Sequence, residues 1–216
     1  MTQVLQIVKH AQVSRSISCP SKCRSTTLPN NIKYCAQCGS VVEEKIPSGE
    51  SLLRAVCSSC HTIHYENPKI VAGSIPEWED KILLCRRAIE PRLGLWTFPA
   101  GFMELGESTE EAATRETLEE AHAEITIHSL FGIFSLPHVS QVYVVYRAHL
   151  QNLNFKPGPE SLDVQLISLA DIPWNHLAFP VIHESLTRYV KDIQTSTSQT
   201  HSSVVPIQKA PSFYTS

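Results

Sequence analysis

The chain has 216 residues, 42% of them hydrophobic, enough to bury the core of one catalytic domain and carry a small accessory module but not two full domains. No apolar run approaches the ~20 residues of a membrane-spanning helix, so a soluble protein with no membrane partner is expected. The formal net charge is −3, yet residues 43–190 hold 11 Lys or Arg against 20 Asp or Glu, the wrong sign for following a phosphate backbone, which argues against nucleic acid as the main partner.

Residues 1–33 are Ser/Thr-rich and acid-free, with Lys9, Arg15, Lys22, Arg24 and Lys33 as their charges. They read as a disordered leader. The same composition describes a transit peptide, so a cytoplasmic location is expected, with an organelle as the alternative.

Four of the seven cysteines fall into Cys35-x-x-Cys38 and Cys57-x-x-Cys60, with 18 residues between the two pairs. Each knuckle points two thiolates at one centre, and this spacing predicts a four-cysteine Zn²⁺ ribbon over 34–66, in which the metal replaces a hydrophobic core. A closed four-sulfur site has no open position, so this zinc is structural. His61 and His64, beside the second knuckle, are substitute ligands or ordinary surface histidines. Cys85 reads as core, and Cys19 and Cys23 lack a matching second pair.

A catalytic domain is expected over 67–191. Residues 69–75 and 81–86 read as a hairpin around the turn-like 76–80. A glycine-bearing loop, 91–106, follows. Ser108 with Glu111 three residues later forms a capping box that opens a helix to about Ala121. Strands are predicted at 125–134, 141–150 and 164–168, an amphipathic closing helix near 181–190, and a disordered tail at 192–216. Strands before, around and after one central helix predict an α/β fold, an α/β/α sandwich with a mixed sheet.

Positions 116, 119 and 120 are three and four residues apart, so three carboxylates share one flank of that helix. A solvated acidic face is the plain alternative. The preceding glycine loop and the hard-metal spacing favour a Mg²⁺ or Mn²⁺ site, and with it phosphate chemistry. Arg115 is placed to hold Glu107 at a fixed angle beside the site.

The run Gly101, Glu107, Arg115, Glu116, Glu119, Glu120 resembles the Nudix box, Gly-x5-Glu-x7-Arg-Glu-U-x-Glu-Glu-x-Gly-U, where U is bulky and apolar. By that resemblance Glu119 and Glu120 are metal ligands, Glu116 is a further ligand or the base that activates water, Glu107 supports them, and Gly101 offers its carbonyl. Thr117 and Ala123 are small for the U positions. His122 stands where the family has a glycine, in a place where a left-handed conformation ends the helix.

Over 34–190, the phrases HTIHYENPKIVAG, GLWTFPAGFMELGES, LPHVSQVYVVYRA and FKPGPESLDVQL resemble Nudix hydrolases with an N-terminal zinc ribbon, among them bacterial members and the plant chloroplast FAD pyrophosphatase. The Ser-Gln-Pro-Trp-Pro-Phe-Pro segment of NADH pyrophosphatases is absent. The resemblance implies metal-dependent hydrolysis of the diphosphate in a small-molecule dinucleotide, FAD favoured, ADP-ribose or NADH as alternatives, and a homodimer. A catalytically silent nucleotide sensor is the alternative outside enzymes. Glu160 is placed like an extra glutamate that serves as ligand or base, or is a plain loop carboxylate. Arg86 and Arg87 suit phosphates, while Trp96 and Phe98 either stack a flavin or adenine or belong to the core.

Overall fold

The computed structural model describes residues 32–206, so most of the expected leader, Cys19 and Cys23 included, lies outside the described residues. The chain divides into two compact units at the Glu66–Asn67 junction. In the first, β1 (Val42–Lys45), β2 (Arg54–Cys57) and β3 (Ile63–His64) form a small antiparallel sheet in that order. It has few apolar side chains to bury, Ala55 and Val56 among them.

The second unit is built on one mixed sheet. Its strands are β4 (Lys69–Trp78), β5 (Lys81–Arg87), β6 (Trp96–Thr97), β7 (Ala100–Phe102), β8 (Ile125–Leu136), β9 (Gln141–Leu150), β10 (Ser161–Ser168) and β11 (His201–Val204). The order is β10-β5-β4-β9-β8-β11, with β4/β9 and β8/β11 parallel and the other neighbouring pairs antiparallel. Strand β4 runs through Pro76 to Trp78 instead of turning at 76, because pairing with β9 continues to Glu77. The turn is only Glu79 and Asp80, with Glu79 at φ 55.

Alternation along β4 assigns the two faces. Val71 and Ile75 join the main core with Phe98, Phe131, Phe134 and Leu186, beneath helix α2 (Pro180–Thr195). Ala72 faces the other way, against Ala112 and Ala113 of α1 (Thr109–Ala121). The expected α/β/α sandwich is present. Helix α1 is tied to β4 by a fully buried hydroxyl pair, Ser74 Oγ and Thr117 Oγ1 at 2.7 Å, and Thr117 also donates to the Ala113 carbonyl at 2.7 Å. That pairing explains why a hydroxyl is tolerated at a position where the box has an apolar residue.

Paired at only two positions, Glu77 with Ile82 and Trp78 with Lys81, β4 and β5 then part. Strand β6 lies on β5 and β7 on β4. Close approach of β7 requires Gly73, where a Cβ would stand 2.5 Å from the Ala100 Cβ. The split places 100–102 beside α1.

The reading of 192–216 as tail is corrected over 192–204, while 207–216 lie outside the described residues. Asp192–Thr195 complete α2, which ends at Ser196 in a left-handed conformation, and β11 adds to the sheet edge along β8. Four residues carry little local signal, and the strand is held by a tertiary contact: His201 Nε2 lies 2.7 Å from Asp192 Oδ2, both buried, with the imidazole 4.9 Å from the Phe131 ring. Removing one partner of a buried hydrogen bond leaves the other polar group unsatisfied. His201→Ala is therefore expected to lower stability by about 2 kcal/mol in chemical denaturation, with no change of fold.

Candidate active site

Helix α1 starts as the capping box requires: Glu111 N–H donates to Ser108 Oγ at 3.2 Å and Ser108 N–H to Glu111 Oε2 at 2.7 Å. Its C-terminus is the departure from the box. His122 takes φ 47 and ψ 30, the left-handed conformation that a glycine adopts freely, and donates its N–H to the Leu118 carbonyl at 2.9 Å. Two carbonyls of the last turn are satisfied from a distant loop, Ala121 by Lys156 N–H and Glu120 by Gly158 N–H, each at 2.9 Å.

Arg115 organises the carboxylates. Its Nε and Nη2 grip Glu107 at 3.0 and 2.8 Å, Nη1 reaches Glu116 at 2.8 Å and Glu119 at 3.2 Å, and Nη2 also donates to the Phe102 carbonyl at 3.1 Å. The two-pronged grip has the fork geometry that suits guanidinium to carboxylate. Glu107 also accepts from the Glu104 N–H at 2.6 Å, and Arg115 above all holds its pKa down to about 2.

Glu116 and Glu120 turn inward. Gly101 lies directly against the Glu116 carboxylate, which a Cβ there would overlap, so the glycine is required for space. Burial raises the pKa of Glu116, opposed by Arg115 and reinforced by Glu119 and Glu160. Glu120 is 7% exposed, and burial first, then Glu116 and Glu160 against Arg87, lifts its pKa to about 8. Glu119 instead stands 60% exposed, drawn to Arg115. Among the described residues no three carboxylates bring their oxygens within 4.8 Å of one another. The three glutamates thus share the predicted flank, two set inward and one at its rim.

These donors suit a hard cation. They are all oxygens, and inward-facing Glu116 and Glu120, with Glu160 near them, leave an excess of negative charge opposed by Arg115 and Arg87. Arg87 interacts with Glu120 and Tyr143, donates to the Pro91 carbonyl at 3.0 Å and lies over the Phe179 ring at 5.1 Å. Arg86 points elsewhere, to the Gly94 carbonyl at 3.0 Å. Phe98 is fully buried in the main core and Trp96 is half-buried against it, so Phe98 is removed from the substrate-contact set. Tyr143 belongs to the main core, as alternation along β9 marks it.

In the first unit the four cysteines converge. Their sulfurs lie within 4.8 Å of one another, with Cys35–Cys60 at 3.6 Å and Cys38–Cys57 at 3.4 Å. A tetrahedron with Zn–S of ~2.3 Å has edges of about 3.8 Å, so the set fits zinc. Gly39 and His61 occupy equivalent places after the two knuckles, at φ 74 and 60. His61 is thereby a turn residue, and neither it nor His64 belongs to the cluster.

The NUDIX domain family model matches residues 68–189 and the Nudix N-terminal zinc-ribbon model residues 33–66. A crystal structure of a NUDIX hydrolase from Nitrosomonas europaea superposes with a TM-score of 0.79 at 51% identity, over 81% of this chain and 99% of that one. An ADP-ribose pyrophosphatase of Methanocaldococcus jannaschii is 32% identical over 130 residues, 57% of this chain and 73% of that protein. The NAD-capped RNA hydrolase NudC of Vibrio cholerae is 28% identical over 149 residues, 68% of this chain and 53% of NudC. The chain therefore spans about half the length of that relative. With a Nudix model covering more than half its length and a second covering its ribbon, this chain belongs to the Nudix hydrolase family.

Proposed function

We propose that the chain hydrolyses the diphosphate of an ADP-linked small molecule, FAD first, with Mg²⁺ or Mn²⁺ held by Glu116, Glu119, Glu120 and the Gly101 carbonyl. The observation that carries this reading is the Arg115 clamp, which fixes Glu107 and Glu116 beside an inward Glu120 where β4 and β5 part. A bound divalent cation supplies charge neutralisation of the diphosphate oxygens and a more acidic water. Arg115 keeps Glu116 oriented against Gly101, and Glu116 or Glu160 accepts the proton of the attacking water. Arg87, next to Glu120, pairs with a diphosphate oxygen.

FAD leads because the residues of 34–190 resemble zinc-ribbon Nudix hydrolases, among them the plant chloroplast FAD pyrophosphatase. ADP-ribose is the second reading, favoured by the name of the Methanocaldococcus jannaschii relative, and NADH shares the same ADP half. The resemblance also implies a homodimer, which sizing tests. The zinc in the ribbon supports folding and takes no part in the chemistry.

The test is incubation with Mg²⁺ or Mn²⁺ and FAD, ADP-ribose, NADH, nucleoside triphosphates and an NAD-capped RNA, with products identified by mass. AMP with FMN from FAD, or AMP with ribose 5-phosphate from ADP-ribose, is the expected outcome. Binding of nucleotide with no product from any of them assigns the site to sensing instead.

A further inference from the structure

Gly158 makes the tightest approach of any glycine among the described residues, and the mechanism above does not use it. Its N–H donates to the Glu120 carbonyl at 2.9 Å, and a Cβ at this position would overlap the Glu119 carbonyl oxygen and crowd the backbone of Glu120. The backbone of Gly158 is not in the left-handed region, unlike Gly39, Gly49, Gly94 and Gly106. Space, and not conformational freedom, is what a side chain would violate here.

The contact lies on the turn of α1 that carries Glu119 and Glu120, and the chain has little slack beyond it. Ser161 N–H donates back to the Gly158 carbonyl at 3.1 Å, and the Glu160 carbonyl accepts from Ala88, just past β5, at 2.8 Å. Residues 158–160 are thus pinned at one end to the helix and at the other to the strand edge. Pro157 and Pro159 flank the glycine and restrict the backbone on both sides. Glu160, two residues on, is felt electrostatically by both Glu116 and Glu120.

We propose that Gly158 is a positioning residue: by docking side-chain-free on the last turn of α1, it sets Glu160 beside Glu116 and Glu120 as a member of the metal site. The inference rests on the hydrolase reading for its chemistry. Its test therefore includes Mn²⁺ binding without substrate, which stays informative if no panel member is turned over.

Mn²⁺ affinity by calorimetry and kcat against KM are compared for wild type, Gly158→Ala, Glu160→Gln and the double variant, with unfolding midpoints alongside. Gly158→Ala is expected to weaken Mn²⁺ binding and lower kcat by roughly 10- to 100-fold, the range for groups that orient metal ligands. KM should change little. In the Glu160→Gln background the same substitution should add less than about twofold, because the two residues act as one unit. Independent, multiplying losses would overturn the proposal and make Gly158 a helix-packing residue alone.

A second variant avoids the crowding. One glycine inserted between Pro159 and Glu160 leaves the Gly158 contact intact but lengthens the bridge. It should bind Mn²⁺ as weakly as Glu160→Gln. Wild-type affinity in the insertion variant would show that docking does not place Glu160, and the proposal would fall whether or not Gly158→Ala folds.

Discussion

Glu119→Gln combined with Glu120→Gln is expected to abolish metal-dependent turnover, a loss of at least about a thousandfold, with the fold intact. The size follows from what leaves the proposed metal site: two carboxylates of an all-oxygen donor set, whose charge would hold the cation and, through it, the diphosphate. The folding argument points the other way. Glu120 is buried beside Glu116 and near Glu160, and burial raises its pKa to about 8. A neutral amide of the same shape relieves desolvation and repulsion instead of breaking a stabilising pair. Glu119 is mostly exposed, and its contact with Arg115 is one of several that Arg115 makes. Circular dichroism and denaturation, without added Mg²⁺ or Mn²⁺ and with the zinc content unchanged, should place the variant at or above wild-type stability while turnover is lost. Loss of activity together with loss of fold would contradict this account of the two residues.

Removing zinc, or replacing Cys57 by Ser, should unfold residues 33–66. The first unit has a three-stranded sheet and few buried apolar side chains, so metal binding supplies the folding free energy that a core supplies elsewhere, on the order of 10 kcal/mol. Cys57 is fully buried, and its sulfur accepts the N–H groups of Ser59 and Cys60 at 3.4 Å each. The second unit has its own core and should persist. Hydrogen exchange read by residue checks both halves: protection should vanish over 33–66 and remain in β4, β8 and β9. Retained protection in the ribbon after zinc loss would show that the sheet stands without metal.

Much of the fold was legible because its signals are local. Ser108 and Glu111 mark the start of α1 to within one residue, and 141–150 alternates as β9 does. The carboxylate flank is readable from spacing alone, since helical geometry leaves positions 116, 119 and 120 no other arrangement. What stayed hidden depends on distant partners. Pro76 looks like a turn until β9 is known to run beside it. Residues 201–204 carry no strand pattern of their own and are held by β8 and by Asp192. Phe98 lies within the glycine-bearing loop and looks like a site aromatic, yet it packs in the main core. His122 adopts the left-handed cap its position demands, and the loop at 156–158 satisfies the remaining carbonyls, a compensation that no local pattern announces.

Turnover of FAD and ADP-ribose in oxygen-18 water, after chelation that leaves the zinc content unchanged, tests the central claim most directly. The account predicts no product until Mg²⁺ or Mn²⁺ is restored, then cleavage within the diphosphate with one labelled oxygen in a single phosphate product. Undiminished turnover in the chelated protein, or label absent from both phosphates, would contradict it.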